Sequence, residues 1–364
     1  MSRLVLVAPA AFKGSFGPRE VADAISAGVR RALPDATVLQ CPVSDGGDGL
    51  LEAVLPRGAL REVVKVSGPL GSKVEGSLGW LDSDTAIFES ATACGLALLK
   101  PTELDPLHAT TRGVGELVWE AVDRGAKTVV VGLGGSATVD GGTGAGRGLG
   151  WTLRDRAAAP LAEGGGSLVN LASLEGGWGL EAQVIGLADV VTPLVGPNGA
   201  APVFGPQKGA SPEAVEQLAA GLDVLAAEFA RAGRPELATL AGGGAAGGLG
   251  AGLAFFAGAQ LVAGADWVLA RVGFDAALAK ADLVITGEGA FDRTSLVGKA
   301  SGEVLRRGHV AKKRVAVVAG TVGDLIGVHA VGGEGRTLDA AGIIALGERV
   351  TREAFGLSSG PHAT

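Results

Sequence analysis

Three loops of the sequence place charged and hydroxyl side chains between an apolar run and the start of a helix. The loops read AFKGSFGP, SDGGDG and TGEGAFD, and their candidate functional residues are Lys13, Ser15, Asp45, Asp48, Glu288 and Asp292. Ligands of open parallel sheets bind at the carboxyl ends of strands, so these side chains should converge if one sheet holds all three strands. Turn chemistry is the alternative, because Asp beside Gly often closes an Asx turn or caps a helix.

A fourth loop is glycine-rich and follows the apolar run TVVV. It reads GLGGSATVDGG over residues 132–142, with five glycines in eleven positions. Glycines let phosphate oxygens reach backbone N–H groups, so Gly134, Gly135 and Ser136 are candidate phosphate contacts. Close packing of a helix against a strand would use the same glycines. The dinucleotide motif GxGxxG fails because Ala137 stands where its third glycine belongs.

Two further segments carry lysines or glycines of the same kind. The stretch GGGAAGGLGAG over residues 242–252 is a second glycine loop, and FGPQKGA over 204–210 places Lys208 in a turn before a helix. A solvated lysine and an anion contact are both open for Lys208. The pair Gly298 and Lys299 does not complete a Walker A motif, because Arg293 stands five residues before that glycine.

The whole inventory consists of glycine loops, a few lysines and several carboxylates, without a histidine or cysteine centre. Phosphoryl transfer needs positioning, neutralisation of charge and a carboxylate that takes the proton of a hydroxyl group. The residues therefore suit magnesium-assisted phosphoryl transfer better than acyl transfer or zinc-dependent hydrolysis.

Composition restricts the partners and the compartment. The chain has 364 residues and a net charge of −7, which argues against a general nucleic-acid surface. Its densest basic run, RRGHVAKKR over 306–314, is interpreted as a solvated turn. The two cysteines form no CxxC pair and the first apolar run is too short for a signal peptide, so we expect a cytoplasmic protein. Residues 239–265 lack charge, but they are mostly Gly and Ala and predict a buried helix rather than a membrane span.

The elements around these loops predict an α/β protein with two domains. Strand, helix and strand alternate at both ends of the chain, which implies parallel strands with helices on the sheet faces. Residues 61–90 have the pattern of antiparallel strands, and 211–232 that of a long helix. We expect a Rossmann-like parallel α/β/α domain made of residues 1–65 and 280–364, and an inserted mixed α/β domain made of residues 66–279.

Read in order, these motifs resemble the bacterial glycerate kinase family of the type that makes 2-phosphoglycerate. The matching segments span nearly the whole chain: APAAFKGSF, SDGGDG, GLGGSATVDGG, DVVTPLVGPNGAAPVFGPQKGA, GGGAAGGLG and ADLVITGEGAFDRTSLVGK. The resemblance implies ATP with Mg²⁺ as the phosphate donor and D-glycerate as the acceptor. It also implies an active site in the cleft between a Rossmann-like domain and an inserted one.

The sequence departs from the family pattern at a few positions. The family usually has Asp-Ser before Phe-Lys-Gly-Ser, and this chain has Ala10 and Ala11. The Asn of the family's Asn-Pro-Leu is Thr192, and its Asn before Asp-Gly-Gly is Val139. These changes keep the class of reaction and leave the acceptor open.

The resemblance supplies positions, and we assign roles to them as hypotheses. Lys13 and Ser15 hold the acceptor carboxylate or the transferring phosphate, and Lys208 or Lys299 neutralises a phosphate. The candidates for Mg²⁺, directly or through water, are Asp45, Asp48 and Glu288. The candidate general base is Asp292, with Asp189 as the second choice. The glycine loop takes phosphate through its backbone N–H groups.

Three alternatives stay open. The first is a nicotinamide-dependent oxidoreductase, although the missing GxGxxG motif argues against it. The second is a non-catalytic protein that binds nucleotide on the same fold, which the missing carboxylate at Ala10 favours. The third is a kinase of another small hydroxy acid. In each case we expect small-molecule ligands, no nucleic acid, no membrane, and a monomer or homodimer.

Overall fold

The chain folds into two compact units in the computed structural model, which describes residues 3–296, 298–323, 327–333 and 338–357. The first unit combines Met1–Val54 with Gly264–Thr364, and the second is Leu55–Ala263. Both chain ends thus build one unit, and the other is inserted between them.

Within the described residues, the strands and α-helices alternate along most of the chain. The strands are β1 Leu4–Val7, β2 Thr37–Gln40, β3 Glu62–Ser67, β4 Lys73–Trp80, β5 Thr85–Glu89, β6 Thr128–Gly132, β7 Trp151–Asp155, β8 Leu171–Gly176, β9 Gln183–Leu187, β10 Gln260–Val262, β11 Leu283–Phe291, β12 Arg314–Val322 and β13 His329–Gly332. The helices are α1 Pro18–Ala32, α2 Leu50–Val54, α3 Ala91–Cys94, α4 Arg112–Asp123, α5 Thr143–Gly148, α6 Ala200–Phe204, α7 Pro212–Arg231, α8 Ala245–Phe256, α9 Gly264–Arg271, α10 Phe274–Lys280, α11 Ala300–Val310 and α12 Ala340–Phe355.

The first unit holds a five-stranded sheet in the order β13-β12-β11-β1-β2, and all neighbouring strands are parallel. This confirms the expected Rossmann-like fold. Helix α1 buries the apolar face predicted from its sequence, including Val21, Ile25 and Val29. It packs closely against α12. The missing side chain of Gly28 allows this approach, since a Cβ atom there would lie 2.2 Å from the carbonyl oxygen of Ile344.

The second unit holds a six-stranded mixed sheet in the order β10-β9-β6-β5-β4-β3. Strands β10, β9, β6 and β5 are parallel, and β5, β4 and β3 are antiparallel. The antiparallel pattern predicted for residues 61–90 is therefore confirmed, and so is the mixed character of the inserted part. The long predicted helix is α7, which begins after Ser211, whose side chain accepts a hydrogen bond from the backbone N–H of Ala214 at 3.2 Å.

The two junctions between the units lie earlier in the chain than the boundaries expected at 65/66 and 279/280. At the first junction, β3 pairs with β4 and so belongs to the second unit. At the second, α9 and α10 lie in the first unit, where α9 packs against α2 and α11. The sequence pattern of βαβ units does not reveal such helix packing.

The uncharged segment 239–265 folds into a short turn, helix α8 and strand β10. In the part of the chain that the structure describes, no helix has the length and apolar character needed to cross a membrane. The basic run 306–314 is only in part the turn that the sequence predicted, because its first five residues complete α11. There Arg307 forms ion pairs with Asp266, Asp275 and Glu303, which neutralise its charge.

Candidate active site

A cavity of about 450 Å³ lies in the first unit, at the carboxyl end of its parallel sheet. The segments that follow β1 and β2, the end of β11 and the start of α11 all contribute to its lining. Six of the residues singled out from sequence line this cavity: Lys13, Ser15, Asp45, Asp48, Glu288 and Lys299. The structure thus brings together the three charged loops, as the parallel arrangement of their strands predicted.

The loop after β1 presents Lys13 and Ser15 to solvent. Its backbone is anchored by Ala10, whose N–H donates to the carbonyl of Gly287 at 2.8 Å. A tight turn then follows, in which Phe12 is buried and Gly14 has a φ of +78°. Only glycine adopts such a conformation without strain, so the turn holds the lysine and the serine at the cavity wall.

The loop after β2 presents Asp45 and Asp48. One carboxylate oxygen of Asp45 accepts a hydrogen bond from the N–H of Gly47 at 3.0 Å, and the Ser44 hydroxyl oxygen accepts one from Gly46 at 3.2 Å. This is the turn chemistry that the sequence left open. The second oxygen of Asp45 accepts no hydrogen bond from the residues that the structure describes. Asp48 is exposed.

Glu288 is an enclosed carboxylate of the cavity, with a side chain only 12% exposed. It lies 3.4 Å from the ammonium of Lys299, and it accepts a hydrogen bond from the hydroxyl of Ser301. Ser301 is fully buried and was not predicted from sequence. Its position two residues after Lys299, in the first turn of α11, is the only signal that the sequence offers for it.

Asp292 does not line the cavity, although it directly follows β11. Its carboxylate is exposed and accepts hydrogen bonds from the hydroxyl and the N–H of Thr294 at 2.6 and 2.7 Å. These bonds, above all that of the hydroxyl, lower the pKa of the Asp292 carboxyl. The side chain is therefore ionised at neutral pH and begins the short turn over residues 293–296. Asp189 is half-buried after β9 in the second unit.

The carboxylate oxygens of the cavity suit a cation that keeps much of its hydration water. Among the described residues, no three Asp, Glu, His or Cys side chains lie close enough together to form a metal-binding cluster. Mg²⁺ is usually held by one or two carboxylates together with waters and substrate phosphates. Asp45 and Asp48 on one short loop fit that requirement.

The second unit contains the glycine loop that follows β6. Only Gly134 and Gly135 approach its surface, and the residues from Ser136 to Gly142 are buried. The backbone N–H groups of Gly134, Gly135 and Ser136 donate no hydrogen bond to any residue that the structure describes. The loop is nevertheless fixed, because Leu96 donates its N–H to the carbonyl of Gly135 at 2.7 Å.

Lys208 is 3% exposed, so the interpretation as a solvated lysine is wrong. Its ammonium donates to the hydroxyl oxygen of Ser136 at 2.8 Å and to the carbonyl of Thr138 at 2.6 Å. Burial lowers the pKa of Lys208 to about 8, because the charged form loses its hydration. The lysine joins the turn after α6 to the glycine loop.

Asp140 is a fully buried carboxylate that sequence reasoning did not single out. It accepts hydrogen bonds at 2.8–3.0 Å from the N–H and the hydroxyl of Thr111 and from the N–H groups of Gly142 and Gly144. Burial raises the pKa of the Asp140 carboxyl, and these donors counteract the rise. The only sign of its importance in the sequence is its place within the glycine motif GLGGSATVDGG.

Many glycines of the loop serve packing against the second glycine loop. A Cβ atom at Gly142 would lie 2.8 Å from the Cα atom of Gly252, and one at Gly252 would lie 2.4 Å from the carbonyl oxygen of Gly141. A Cβ atom at Gly247 would lie 1.9 Å from the carbonyl oxygen of Thr138. The packing interpretation thus holds for the buried glycines, whereas Gly134 and Gly135 are the ones that reach the surface.

Comparison with known proteins extends these observations. The model of the glycerate kinase family matches residues 5–342. The glycerate 2-kinase of Escherichia coli (strain K12) is 41% identical over 332 residues, which cover 89% of this chain and 87% of that protein. The glycerate kinase of Bacillus subtilis (strain 168) is 40% identical over 303 residues, covering 81% of this chain and 79% of that protein.

A solved structure agrees with the fold. The crystal structure of a protein assigned as glycerate kinase 2 from Salmonella typhimurium LT2 superposes with a TM-score of 0.84 at 38% sequence identity. The match covers 98% of this chain and 99% of that one. Because sequence and structure agree over nearly the full length, the chain belongs to the glycerate kinase family.

Proposed function

We propose that this protein is a kinase that transfers the γ-phosphoryl group of ATP to D-glycerate and forms 2-phosphoglycerate with the help of Mg²⁺. The observation that carries the proposal is the cavity of the first unit, which combines two lysines with three carboxylates at the carboxyl end of a parallel sheet. The names of the relatives support the choice of acceptor and of the 2-position.

The lysines of the cavity provide the positive charge that anionic substrates need. Lys13 and Ser15, on one hydrogen-bonded turn, hold the acceptor carboxylate or the transferring phosphate. Lys299 already lies beside Glu288 at 3.4 Å, so it is fixed at the cavity wall while its ammonium is partly exposed. An ammonium in that position neutralises charge on a phosphate group without reorganisation of the site.

Mg²⁺ neutralises negative charge on the phosphates when it is bound. In this chain Asp45 and Asp48 would hold it, directly or through water. Glu288 is engaged by Lys299 and Ser301, so it supports the site as an acceptor for these two groups and is the third candidate for the cation.

The acceptor hydroxyl needs a carboxylate that takes its proton. Asp292 is our candidate, because it is a carboxylate and because it continues the strand whose end lines the cavity. Asp189 is the second choice. In the second unit, the N–H groups of the half-buried Gly134, the exposed Gly135 and the buried Ser136 are the candidate contacts for a phosphate group.

A non-catalytic nucleotide-binding protein is the second candidate, and one observation favours it. Ala10 and Ala11 line the cavity where the family usually has Asp and Ser, so this wall lacks a carboxylate and a hydroxyl. Tight ATP binding without ADP release on a panel of hydroxy acids, glycerate included, would support this candidate.

The proposal is tested by titrating Mg²⁺ in an assay of glycerate-dependent ADP release. Asp48→Asn should raise the Mg²⁺ concentration for half-maximal rate at least tenfold, because one anionic ligand is lost. The control is Asp123→Asn, an exposed carboxyl group at the end of α4, which should behave like the wild type. Equal Mg²⁺ requirements in all three proteins would contradict the assignment of the cation to this loop.

A further inference from the structure

The glycine loop of the second unit reaches the surface at Gly134 and Gly135 and is buried from Ser136 onward. The buried part includes Ser136, Thr138 and Asp140. Two buried titratable side chains hold the loop in place. Lys208 binds Ser136 and Thr138, and Asp140 binds the N–H of Gly144 beyond the loop.

Lys208 has the geometry of a support for the loop. Its ammonium lies within hydrogen-bond distance of Ser136 and Thr138, whose oxygens come from alternate positions of the loop. The ring of Phe204 lies 5.9 Å from the same ammonium. With 3% of its surface exposed, the side chain reaches a ligand only through the loop.

Asp140 supports the other end of the loop. It binds Thr111, the residue before α4, and the N–H groups of Gly142 and Gly144 at the start of α5. Thr111 in turn accepts a hydrogen bond from the N–H of Ala145 at 2.9 Å. The loop is therefore tied to two helices by one carboxylate.

We propose that Lys208 and Asp140 are positioning residues, which hold the glycine loop so that the N–H groups of Gly134, Gly135 and Ser136 face an oxyanion of the substrate. This inference rests on the proposed function and changes the role first assigned to Lys208, which supports the loop instead of touching the phosphate. Donors that are fixed before the ligand arrives lose little entropy on binding, which is the advantage of such a support. A buried charge is tolerated where it is fully hydrogen-bonded.

Hydrogen exchange followed by mass spectrometry tests the proposal without any need for turnover. In the wild type, Mg-ADP should slow the exchange of the amides of residues 134–136. In Lys208→Met this protection should fall at least tenfold. The N–H of Leu96 donates to the carbonyl of Gly135, and the N–H of Ala137 donates to the carbonyl of Cys94, both at 2.7 Å. These two amides should exchange at least tenfold faster in the variant. Lys100→Met, at an exposed position, is the control and should match the wild type.

A double-mutant cycle separates support from direct contact. Lys208 and Ser136 share one hydrogen bond, so Lys208→Met and Ser136→Ala should together reduce Mg-ADP protection of the loop by less than the product of their single effects. If Lys208→Met fails to fold, Ser136→Ala alone should still accelerate exchange at Ala137. Arginine at position 208 keeps the charge but not the fit, so Lys208→Arg should not restore protection.

Two results would overturn the proposal. One is loss of Mg-ADP protection in Lys208→Met while exchange at Leu96 and Ala137 stays at the wild-type rate, since that would assign Lys208 to direct contact. The other is a wild-type loop that neither Mg-ADP nor inorganic phosphate protects. If Mg-ADP protects the wild-type loop and Lys208→Met behaves as predicted, but no ADP release depends on glycerate, the proposed function is contradicted and the role of Lys208 in the loop is supported.

Discussion

Replacement of Gly247 by alanine should destabilise the second unit more than any ordinary surface substitution. Gly247 has a φ of +74°, and a Cβ atom there would lie 1.9 Å from the carbonyl oxygen of Thr138. The same oxygen accepts the hydrogen bond of the buried Lys208 ammonium at 2.6 Å. The added methyl group must therefore displace both the helix start and the glycine loop.

The expected loss of stability follows from the backbone conformation of residue 247 and from the hydrogen bond of the Thr138 carbonyl. A left-handed conformation costs an alanine about 1–2 kcal/mol relative to glycine. A displaced Thr138 carbonyl loses a hydrogen bond to a charged group, which contributes about 1.5–3 kcal/mol. We therefore expect a loss of about 2.5–5 kcal/mol in the free energy of unfolding. That is a large part of the total of about 5–15 kcal/mol that is typical of a folded protein.

The neighbouring position provides the control. Ala246 already has a φ of +53°, so the backbone strain alone is tolerated there. Ala246→Gly should change the free energy of unfolding by less than about 1 kcal/mol, because relief of strain and added chain entropy oppose each other. Urea unfolding followed by tryptophan fluorescence is suited to the comparison, since Trp80, Trp119, Trp151 and Trp178 all lie in the second unit. A Gly247→Ala variant within about 1 kcal/mol of the wild type would show that the Thr138 carbonyl is not displaced.

Three further predictions concern titratable groups. Burial raises the pKa of Cys41 to about 11 and that of Cys94 to about 12. Native protein at pH 8 should therefore not react with a thiol reagent that labels both cysteines after denaturation, and a fast-reacting thiol in the native protein would contradict this. Asp292→Asn should reduce kcat by about 10²–10⁴-fold if Asp292 is the general base, and a loss of less than about tenfold would exclude that role. The lowered pKa of Lys208, about 8, means that the unfolded chain binds this proton more tightly than the folded one. The contribution of Lys208 is the free energy of unfolding of the wild type minus that of Lys208→Met, both measured in urea. This difference should rise by about 1 kcal/mol per pH unit between pH 8 and 10. A flat or falling difference would refute the burial of a charged lysine.

The architecture of the first unit was predictable because its signals are local. Each strand is a short apolar run followed by small and charged residues, and parallel strands necessarily bring their carboxyl ends to one edge. The sequence therefore predicts that Lys13, Asp45 and Glu288 lie together, although they are far apart along the chain, and all three line the cavity. The helices α9 and α10 could not be assigned to this unit, because only their packing decides it.

The contacts of the buried polar side chains were not predictable from local patterns. Lys208 bonds to residues 70 and 72 positions earlier, so its turn-like sequence context gave no sign that it is buried. Asp140 bonds to Thr111, 29 positions away, and its Asp-Gly-Gly context also fits an ordinary turn. Ser301 was missed because a serine in the first turn of a helix is common, and only the fold places it beside Glu288.

The proposed activity is measured by incubating the purified protein with Mg-ATP, with and without D-glycerate, and identifying the product by phosphorus NMR. We expect ADP release that depends on glycerate and a single phosphorylated product, 2-phosphoglycerate. Formation of 3-phosphoglycerate would contradict the proposed position of transfer. Turnover with another hydroxy acid but not with glycerate would contradict the acceptor. ATP binding without turnover on any acceptor would contradict the assignment as a kinase.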